Sequence, residues 1–435
     1  MGNQFAVYTH RIKPLALLFA VCVAALAQNQ ERPKLKDFGS SLKRVKWDDG
    51  KKTAIETQPA STATRGSEDS DVVRVETSLV SNDVMVLDAR GDFVQGLTEK
   101  DFVIAEEGTP QQVGMFSPGD NVKVPRSIVL IIDYSSSQRP FIKTSVAAAK
   151  MLVDKLSPLD SMAIVTDDVK LIQDFTRDKD KLKHKLDSLL EGVGRSKQYS
   201  ALFATLREAF NAEDQRPIVI FQTDGDQLGA LRNTPLTYRE LPAGLFDKRI
   251  TNHARQYFEE NRTDFSLDDI YRAAEKARAT IYTVIPGPKL LGRPLEDVMA
   301  GTKSGTQKIF DLMRETLRRL DRPPMEDVRL RKLVAAMTTD EQLKRSAEDG
   351  IKLQAALDSV ATSTGGWTMF LETPDDADHI YSSIFSDINR RYIVGYYPTN
   401  KSHDGKRRKI DVTVRDHPDY VVVGRRWYYA PAPDR

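Results

Sequence analysis

Residues that could hold a cation follow two apolar runs of this chain. In RSIVLIIDYSSSQRP, Asp133 comes directly after Ile128–Ile132, and serines follow it at alternate positions. In PIVIFQTDGD a second apolar run also leads to an acid. SKQYSALF between them supplies a further hydroxyl, Ser200, just before a helix predicted at Leu202–Phe210. The candidate ligands are Asp133, Ser135, Ser137, Ser200 and Asp224. All of them offer oxygen, which Mg²⁺, Mn²⁺ and Ca²⁺ prefer, and two carboxylates balance one divalent charge.

A simpler use of the same residues is also open. Ser135 and Ser137 are of the type that caps a helix, and a helix is predicted to follow them. Asp224, in TDGD, is of the type that opens a turn. The sequence contains no GxxxxGK[ST], no GxSxG, no HExxH and no GxGxxG after a predicted strand, so it offers no motif for nucleotide binding or hydrolysis.

The elements that must position these residues alternate between strands and helices from about residue 126 onward. Continuous apolar strands are predicted at Ile128–Ile132, Met162–Val165, Lys170–Phe175, Pro217–Asp224, Thr280–Ile285 and Trp367–Leu371. With amphipathic helices between them, they predict a doubly wound, Rossmann-type α/β fold with a mainly parallel sheet. Ligands bind such sheets beyond the carboxyl ends of the strands, where the strand order reverses. Asp133 and Asp224 are expected at that edge.

Two antiparallel β segments flank the predicted α/β unit. Residues 73–120 alternate apolar with polar side chains, and residues 392–431 contain three short strand patterns. Because neither segment is large enough for a core of its own, we predict that both join in one small β-sandwich. Two further stretches, 227–264 and 286–350, interrupt the alternation. We predict that these insertions follow strand carboxyl ends and surround the candidate site.

Several stretches resemble the bacterial von Willebrand factor A-related family of exported proteins. DYSSS matches the Asp-x-Ser-x-Ser element of von Willebrand factor A-like domains. The likeness to the bacterial family lies in VQGLTEKDFVIAEEGTPQQVGMFS, LIQDFTRDKDKLKHKLDSL, STGGWTMF, RRYIVGYYPTN and RRWYYAP. It covers roughly residues 73–431 apart from the two insertions.

The resemblance implies a metal-ion-dependent adhesion site (MIDAS) made by Asp133, Ser135, Ser137, Ser200 and Asp224. A carboxylate from a protein partner would complete the shell of the cation. Ser136 stands where the family has Gly, and Ser200 stands where it has Thr, which keeps the oxygen but loses the methyl group that restricts the rotamer.

Composition narrows the classes of protein further. The chain has 435 residues, 40% hydrophobic and 29% charged, and a formal net charge of +2, so no nucleic-acid partner is predicted. Arg11 and Lys13 precede an apolar run that ends in Ala25-Leu26-Ala27, which is typical of a signal peptide. Export to the periplasm or beyond is therefore expected, with an uncleaved N-terminal anchor as the alternative. Cys22, the only cysteine, would leave with the signal peptide.

The predicted organisation is a signal peptide at 1–27, a flexible linker at 28–72, a first sandwich segment at 73–120, a von Willebrand factor A-like domain at 121–391 and a second sandwich segment at 392–431. No membrane span is predicted after the signal peptide, and no oligomeric state is predicted.

The leading function hypothesis is a binding protein, not an enzyme, that captures an acidic group of a protein partner through a divalent cation. The alternatives are a structural subunit of the envelope with a degenerate, metal-free site, and a metal-assisted hydrolase. The hydrolase is disfavoured because no general base accompanies the oxygen ligands.

Overall fold

The computed structural model describes residues 35, 38–43, 45–48, 53–56, 79–118, 125–191, 194–211, 216–234, 262–319 and 324–431. The chain divides into two compact units, residues 1–36 and 37–435, and nearly all described residues belong to the second. The predicted signal peptide at 1–27 lies outside the described residues. Among the described helices, none combines the length and the apolar character that a membrane span requires.

A six-stranded sheet forms the centre of the α/β unit. Its strands are β7 (Ser127–Ile132), β8 (Ser161–Thr166), β9 (Lys170–Thr176), β10 (Pro217–Gln222), β11 (Thr280–Pro286) and β12 (Thr368–Leu371). The spatial order is β9-β8-β7-β10-β11-β12, and only the edge strand β9 runs antiparallel to its neighbour. Counted along the chain from β7, this is the doubly wound order 3-2-1-4-5-6. The predicted fold class is confirmed.

Helices cover both faces of this sheet. They are α1 (Ile142–Lys155), α2 (Lys179–Asp187), α3 (Gln198–Glu208), α4 (Leu267–Ala277), α5 (Leu295–Arg319), α6 (Pro324–Met337), α7 (Asp340–Ser363) and α8 (Asp376–Asn389). Ile128, Leu130 and Ile132 of β7 pack with α1, α2 and α8 in one core. Because successive side chains of a strand point to opposite faces, Val129 and Ile131 face the other side, where α3 contacts β7.

The β-sandwich combines strands from both ends of the described chain, as predicted. They are β3 (Val80–Leu87), β4 (Phe102–Glu106), β5 (Thr109–Gln111), β6 (Val113–Ser117), β13 (Tyr392–Tyr396), β14 (Arg407–Val414), β15 (Val421–Val423) and β16 (Trp427–Tyr429). The two sheets have the orders β15-β3-β13-β6 and β16-β14-β4-β5, so each interleaves early and late strands. Neither terminal segment forms a sheet by itself, and both contribute buried side chains to one core.

The predicted linker contains structure that its sequence does not indicate. Ser40–Lys43 forms one turn of 3-10 helix, and β1 (Val45–Asp48) pairs antiparallel with β2 (Thr53–Glu56). The backbone N–H groups of Gly39 and Ser41 donate to the carboxylate of Glu208 at 2.7 and 2.8 Å. Residues 38–43 are therefore attached to the end of α3 by hydrogen bonds, which no apolar periodicity could reveal.

The structure corrects three predicted boundaries. β10 ends at Gln222, so Asp224 lies in the loop after the strand and not at its last position. Ser200 lies inside the first turn of α3 and not before the helix. The second insertion was predicted to end at Gly350, but this glycine lies in the middle of α7, a continuous helix of 24 residues. Most of the first insertion, residues 235–261, lies outside the described residues.

A candidate cation site at the strand-order switch

Four of the five candidate ligands lie in the loops at the carboxyl ends of two neighbouring parallel strands, and Ser200 lies in the first turn of α3. β7 pairs with β10 up to Ile132 and Gln222, and the strand order reverses between these two strands. The N–H group of Asp133 donates to the Gln222 carbonyl at 2.9 Å, which extends the hydrogen bonding between β7 and β10 by one residue. The Thr223 hydroxyl donates to Asp133 Oδ2 at 2.8 Å. Asp133 is thereby held at the point where a doubly wound sheet opens to ligands.

The two serines after Asp133 are brought together by the loop. The N–H group of Ser135 donates to Asp133 Oδ1 at 3.0 Å, and Ser135 Oγ lies 3.1 Å from Ser137 Oγ. Adjacent oxygens around an octahedral Mg²⁺, each about 2.1 Å from the ion, are about 3 Å apart. Ser135 is fully buried and Ser137 is exposed, so the pair reaches from the base of the loop to solvent. The spacing fits two ligands of one hard cation.

Helix capping does not explain these serines. Ser135 precedes the 3-10 turn Ser136–Gln138, but its side chain makes no capping hydrogen bond. The longer helix α1 begins only at Ile142, after Phe141, and has no side-chain cap. The hydroxyls of Ser135 and Ser137 therefore face each other instead of the backbone N–H groups of a helix.

Asp224 does open a turn, and it also faces the serine loop. The Asp226 N–H group donates to Asp224 Oδ1 at 3.2 Å, and Gly225 between them has a φ of +75°. The other oxygen, Asp224 Oδ2, accepts a hydrogen bond of 2.6 Å from Gln138 Nε2. Because Gln138 directly follows Ser137, this bond links the loop after β7 to the loop after β10.

Gln227 fixes the side chain of Ser200. Gln227 Nε2 donates to Ser200 Oγ at 2.8 Å, and the N–H group of Ser200 donates to Gln227 Oε1 at 3.0 Å. A hydroxyl can accept two hydrogen bonds and donate one, so the Ser200 oxygen keeps a lone pair for another partner. This two-point contact supplies the rotamer restriction that a threonine methyl would otherwise give.

Gln198, at the start of α3, joins two carboxylates. Its Nε2 donates to Asp133 Oδ2 at 2.9 Å and to Asp226 Oδ1 at 2.7 Å, and the side chain is fully buried. Its Oε1 accepts from the N–H group of Gln227 at 3.3 Å. Ser200 is thus connected to Asp133 through the two glutamines. Neutral amides form no recognised metal motif, so sequence reasoning missed them.

Asp167, directly after β8, orients the loops around the site. Asp167 Oδ1 accepts from the N–H group of Tyr134 at 3.2 Å, and Oδ2 accepts from those of Arg195 and Ser196 at 2.7 and 2.8 Å. Its position could have been found in the sequence, since it follows a predicted strand in the same way as Asp133. Asp167 is fully buried by these backbone contacts, which gives it an orienting role.

Two buried carboxyl groups at the site, Asp133 and Asp226, have raised pKa values. Burial, and then the nearby charges of Asp224 and Asp167, raise the pKa of Asp133. Burial and the charge of Asp224 likewise raise the pKa of Asp226. Within the described part of the chain, no Lys, Arg or His forms an ion pair with either of them. A divalent cation would supply the missing charge.

No set of three His, Cys, Asp or Glu side chains among the described residues is grouped closely enough to hold a metal alone. A cation here would need the serine hydroxyls. The two carboxylates and three hydroxyls of the candidate set are oxygen ligands of the kind that Mg²⁺ and Mn²⁺ accept. The site fits such an ion.

Comparisons with known proteins found distant structural neighbours. No protein-family model and no curated protein matches the chain. Similar solved structures include the vWF domain of the type V pili tip protein Mfa5 from Porphyromonas gingivalis, with 17% identity over 61% of this chain and 97% of that chain, at a TM-score of 0.33. Another is a von Willebrand factor type A structure from Catenulispora acidiphila, with 10% identity over 82% and 75% and a TM-score of 0.32. A third is an aerotolerance-related membrane protein from Bacteroides fragilis, with 12% identity over 61% and 98% and a TM-score of 0.32.

The arrangement of the sheet carries the fold assignment. Its order, its antiparallel edge strand and the Asp-x-Ser-x-Ser loop after the first strand give the α/β unit a von Willebrand factor A-like fold, as the sequence predicts.

Proposed function

We propose that this von Willebrand factor A-like chain is an exported binding module that captures an acidic group of a protein partner through a divalent cation. Asp133, Ser135, Ser137, Ser200 and Asp224 would hold the ion, which is Mg²⁺ or a similar hard cation. When bound, the cation supplies positive charge and an open coordination position for a carboxylate oxygen of the partner.

The proposed roles of the candidate ligands differ with their burial. Asp133 and Ser135 are buried at the base of the loop, so they fix the site and exclude water beneath it. Ser137 is exposed and Asp224 is half-buried, so they lie on the side that a partner can approach. Gln227 and Gln198 orient Ser200 and Asp133 without adding charge.

One observation supports the proposal above all others. Asp133, a buried aspartate that pairs with no cationic side chain among the described residues, lies at the strand-order switch, beside two serine hydroxyls spaced 3.1 Å apart. An uncompensated buried carboxylate is costly unless it is protonated or paired. A bound cation would remove that cost.

Calorimetry tests the cation. Titration of MgCl₂ into chelator-treated protein should give saturable heat, and the same titration into Asp133→Asn should give none. Ser382→Ala is a control variant that should bind Mg²⁺ as the wild type does, because the Ser382 hydroxyl accepts from Lys155 Nζ at 2.8 Å and belongs to α8. Absence of heat from the wild type with Mg²⁺, Mn²⁺ and Ca²⁺ would reject the proposal.

An immobilised peptide array tests the partner chemistry. Peptides that present an aspartate, each with an asparagine duplicate as a matched control, should retain the protein in MgCl₂ and release it in EDTA. Equal retention of both peptide sets would show that no carboxylate is recognised.

A second candidate function has one observation in its favour. Amide N–H groups of Gln198 and Gln138 already donate to Asp133, Asp226 and Asp224, so the carboxylates have hydrogen-bond donors without an ion. This arrangement suits a metal-free structural module of the envelope. Such a module would show no Mg²⁺ heat, and Asp133→Asn would leave its interactions unchanged.

A further inference from the structure

Gln138 has an unusual position beside the candidate ligands. The side chain is 2% exposed, and its two polar ends are used unequally. Nε2 donates to Asp224 Oδ2 at 2.6 Å, whereas Oε1 is buried and accepts no hydrogen bond from any described residue. A buried carbonyl oxygen without a partner is uncommon in folded proteins and calls for an explanation.

The amide can present either end to Asp224 at small conformational cost. The last torsion of a glutamine side chain is broad and roughly two-fold, so half a turn exchanges oxygen and nitrogen without moving the rest of the residue. Facing a bare carboxylate, the N–H₂ end is favoured because it donates a hydrogen bond. Facing a carboxylate that holds a cation, the oxygen end is favoured because the ion attracts oxygen and repels the amide hydrogens.

The two side chains are close enough for that exchange. Oε1 turned into the present place of Nε2 would lie 2.6 Å from Asp224 Oδ2, so a shift of a few tenths of an ångström would give the spacing of two adjacent oxygens around one hard cation, roughly 3 Å. Without an ion the two oxygens would repel each other at that separation. The orientation of the amide therefore depends on whether a cation is present.

We propose that Gln138 is a further cation ligand, whose amide turns to present Oε1 when the ion enters. This inference rests on the proposed cation site, since it assigns that site one more oxygen from the protein. It gives the unpartnered Oε1 a partner and places the new ligand beside Asp224, on the loop that also carries Ser135 and Ser137. The Asp-x-Ser-x-Ser pattern alone does not include this position.

Calorimetry with MgCl₂ on full-length variants tests the ligand. Gln138→Met keeps the length of the side chain but removes its oxygen, and the affinity for Mg²⁺ should fall about 10- to 100-fold. Gln222→Met is the matched control, because Gln222 is also buried with an unpartnered Oε1 but its Nε2 donates to the Ser145 carbonyl at 3.3 Å and not to a carboxylate. The control should bind Mg²⁺ with the affinity of the wild type.

NMR of glutamine-labelled protein gives a readout that needs no variant to fold well. The side-chain ¹⁵N–H₂ signals of Gln138, hydrogen-bonded to Asp224 without the ion, should shift strongly when Mg²⁺ is added, while those of Gln222 stay in place.

The outcomes separate this inference from the proposed function. Wild-type affinity in Gln138→Met, with binding lost in Asp133→Asn, would overturn the role of Gln138 and leave the cation site intact. Unmoved Gln138 amide signals in Mg²⁺-saturated protein would do the same. Absence of Mg²⁺ binding by the wild type would overturn both.

Discussion

The chemistry of the candidate site depends on single side chains that compensate one another. Ser200 is the clearest case, because its hydroxyl would be free to change rotamer if Gln227 did not hold both its oxygen and its N–H group. The sequence departs from the family pattern at Ser200, and the structure shows a contact that offsets the departure.

Replacement of Gln227 by leucine should therefore lower the affinity for Mg²⁺ by about 10- to 100-fold, as loss of a residue that orients a ligand does. Adding Ser200→Thr to that variant should recover part of the affinity, since the threonine methyl group restricts χ1. Calorimetry measures both effects.

Gln354→Leu is a matched control for that experiment. Gln354 is also buried, and its side chain accepts from the Leu290 N–H group at 2.8 Å and donates to the Pro288 carbonyl at 2.9 Å. Its loss should lower stability without changing cation affinity. A Gln227→Leu variant that bound Mg²⁺ as tightly as Gln354→Leu would contradict the role of Gln227.

The protonation of Asp133 predicts how the site responds to pH. Burial raises the pKa of this carboxyl to about 8 in the ion-free protein, so the folded state holds a proton that the unfolded state releases at lower pH. The free energy of unfolding should then decrease as the pH rises from about 4 toward 8. Added Mg²⁺ should displace the proton, and its affinity should rise by up to about tenfold per pH unit below the raised pKa.

Thermal unfolding of the wild type and of Asp133→Asn, each in EDTA and in MgCl₂ between about pH 5 and pH 8, checks this prediction. Mg²⁺ should raise the melting temperature of the wild type more at the upper end of that range than at the lower end. It should raise that of Asp133→Asn little at either end. A stabilisation by Mg²⁺ that did not change with pH would count against a protonated Asp133.

Secondary structure elements set the geometry of the loops that carry these residues. Helix α7 packs against the turn after β10, where a Cβ added to Gly225 would lie 3.0 Å from Leu357 Cγ. Gly225 also has a φ of +75°, a backbone conformation that residues with a Cβ adopt at a cost. Because Asp224 precedes this glycine, the part of α7 that follows the second insertion restrains the turn that carries Asp224.

We expect Gly225→Ala to lower the free energy of unfolding by about 2–4 kcal/mol, from the left-handed backbone and the contact with buried Leu357 together. Gly91→Ala is the control, since Gly91 has a φ of +85° but no atom within 4 Å of an added Cβ. It should cost only about 1–2 kcal/mol. Urea unfolding measures both, and equal losses would show that α7 does not restrain the turn.

The elements also show what sequence reasoning can and cannot find. The strands β7, β8, β10 and β11 were predicted because each is a continuous apolar run of the length of a strand. Asp133 was predicted at the end of β7 for the same reason. The start of α3 was missed because Lys197, its N-cap residue, makes no capping hydrogen bond that a sequence signal could announce.

The site contacts that the sequence did not predict join residues that are distant in the chain. Gln198 and Gln227 are 29 positions apart, and only the fold brings them together around Asp133 and Ser200. Glutamine is common on protein surfaces, so no pattern distinguishes these buried amides from exposed ones. The second insertion was predicted to end at Gly350, but α7 continues through this glycine, whose cost in a helix is about 1 kcal/mol.

At the scale of the whole molecule, a buried charge pair is among the contacts that join the α/β unit to the sandwich. The Asp387 carboxylate, near the end of α8, accepts from Arg391 Nη2 at 2.6 Å, Tyr282 Oη at 2.8 Å and Trp367 Nε1 at 2.9 Å. Arg391 Nη1 in turn donates to the carbonyl of Asp83 in β3 at 3.1 Å. Arg391, which directly precedes β13, thus links α8 of the α/β unit to β3, a central strand of the sandwich.

Both charges are almost fully buried, so Asp387→Asn would remove the carboxylate that offsets the Arg391 charge in a low-dielectric environment. We expect Asp387→Asn to lower the free energy of unfolding by about 3–5 kcal/mol. Asp378→Asn on the same helix is the matched control, since Asp378 is exposed and pairs with Lys155 at 2.7 Å. Its removal should cost about 0–1 kcal/mol. Urea unfolding of the two variants compares the costs directly.

Native-state hydrogen exchange then tests whether the pair couples the two units. In the wild type, amides of β3 and β13 should become exchangeable at the same urea concentration as those of β7 and β10, because the charge pair and the shared chain join their unfolding. In Asp387→Asn the sandwich strands should open at lower urea than the central sheet, since the link from Arg391 to β3 no longer has its anchoring carboxylate. Simultaneous opening of all four strands in that variant would show that the sandwich is held to the α/β unit by other contacts.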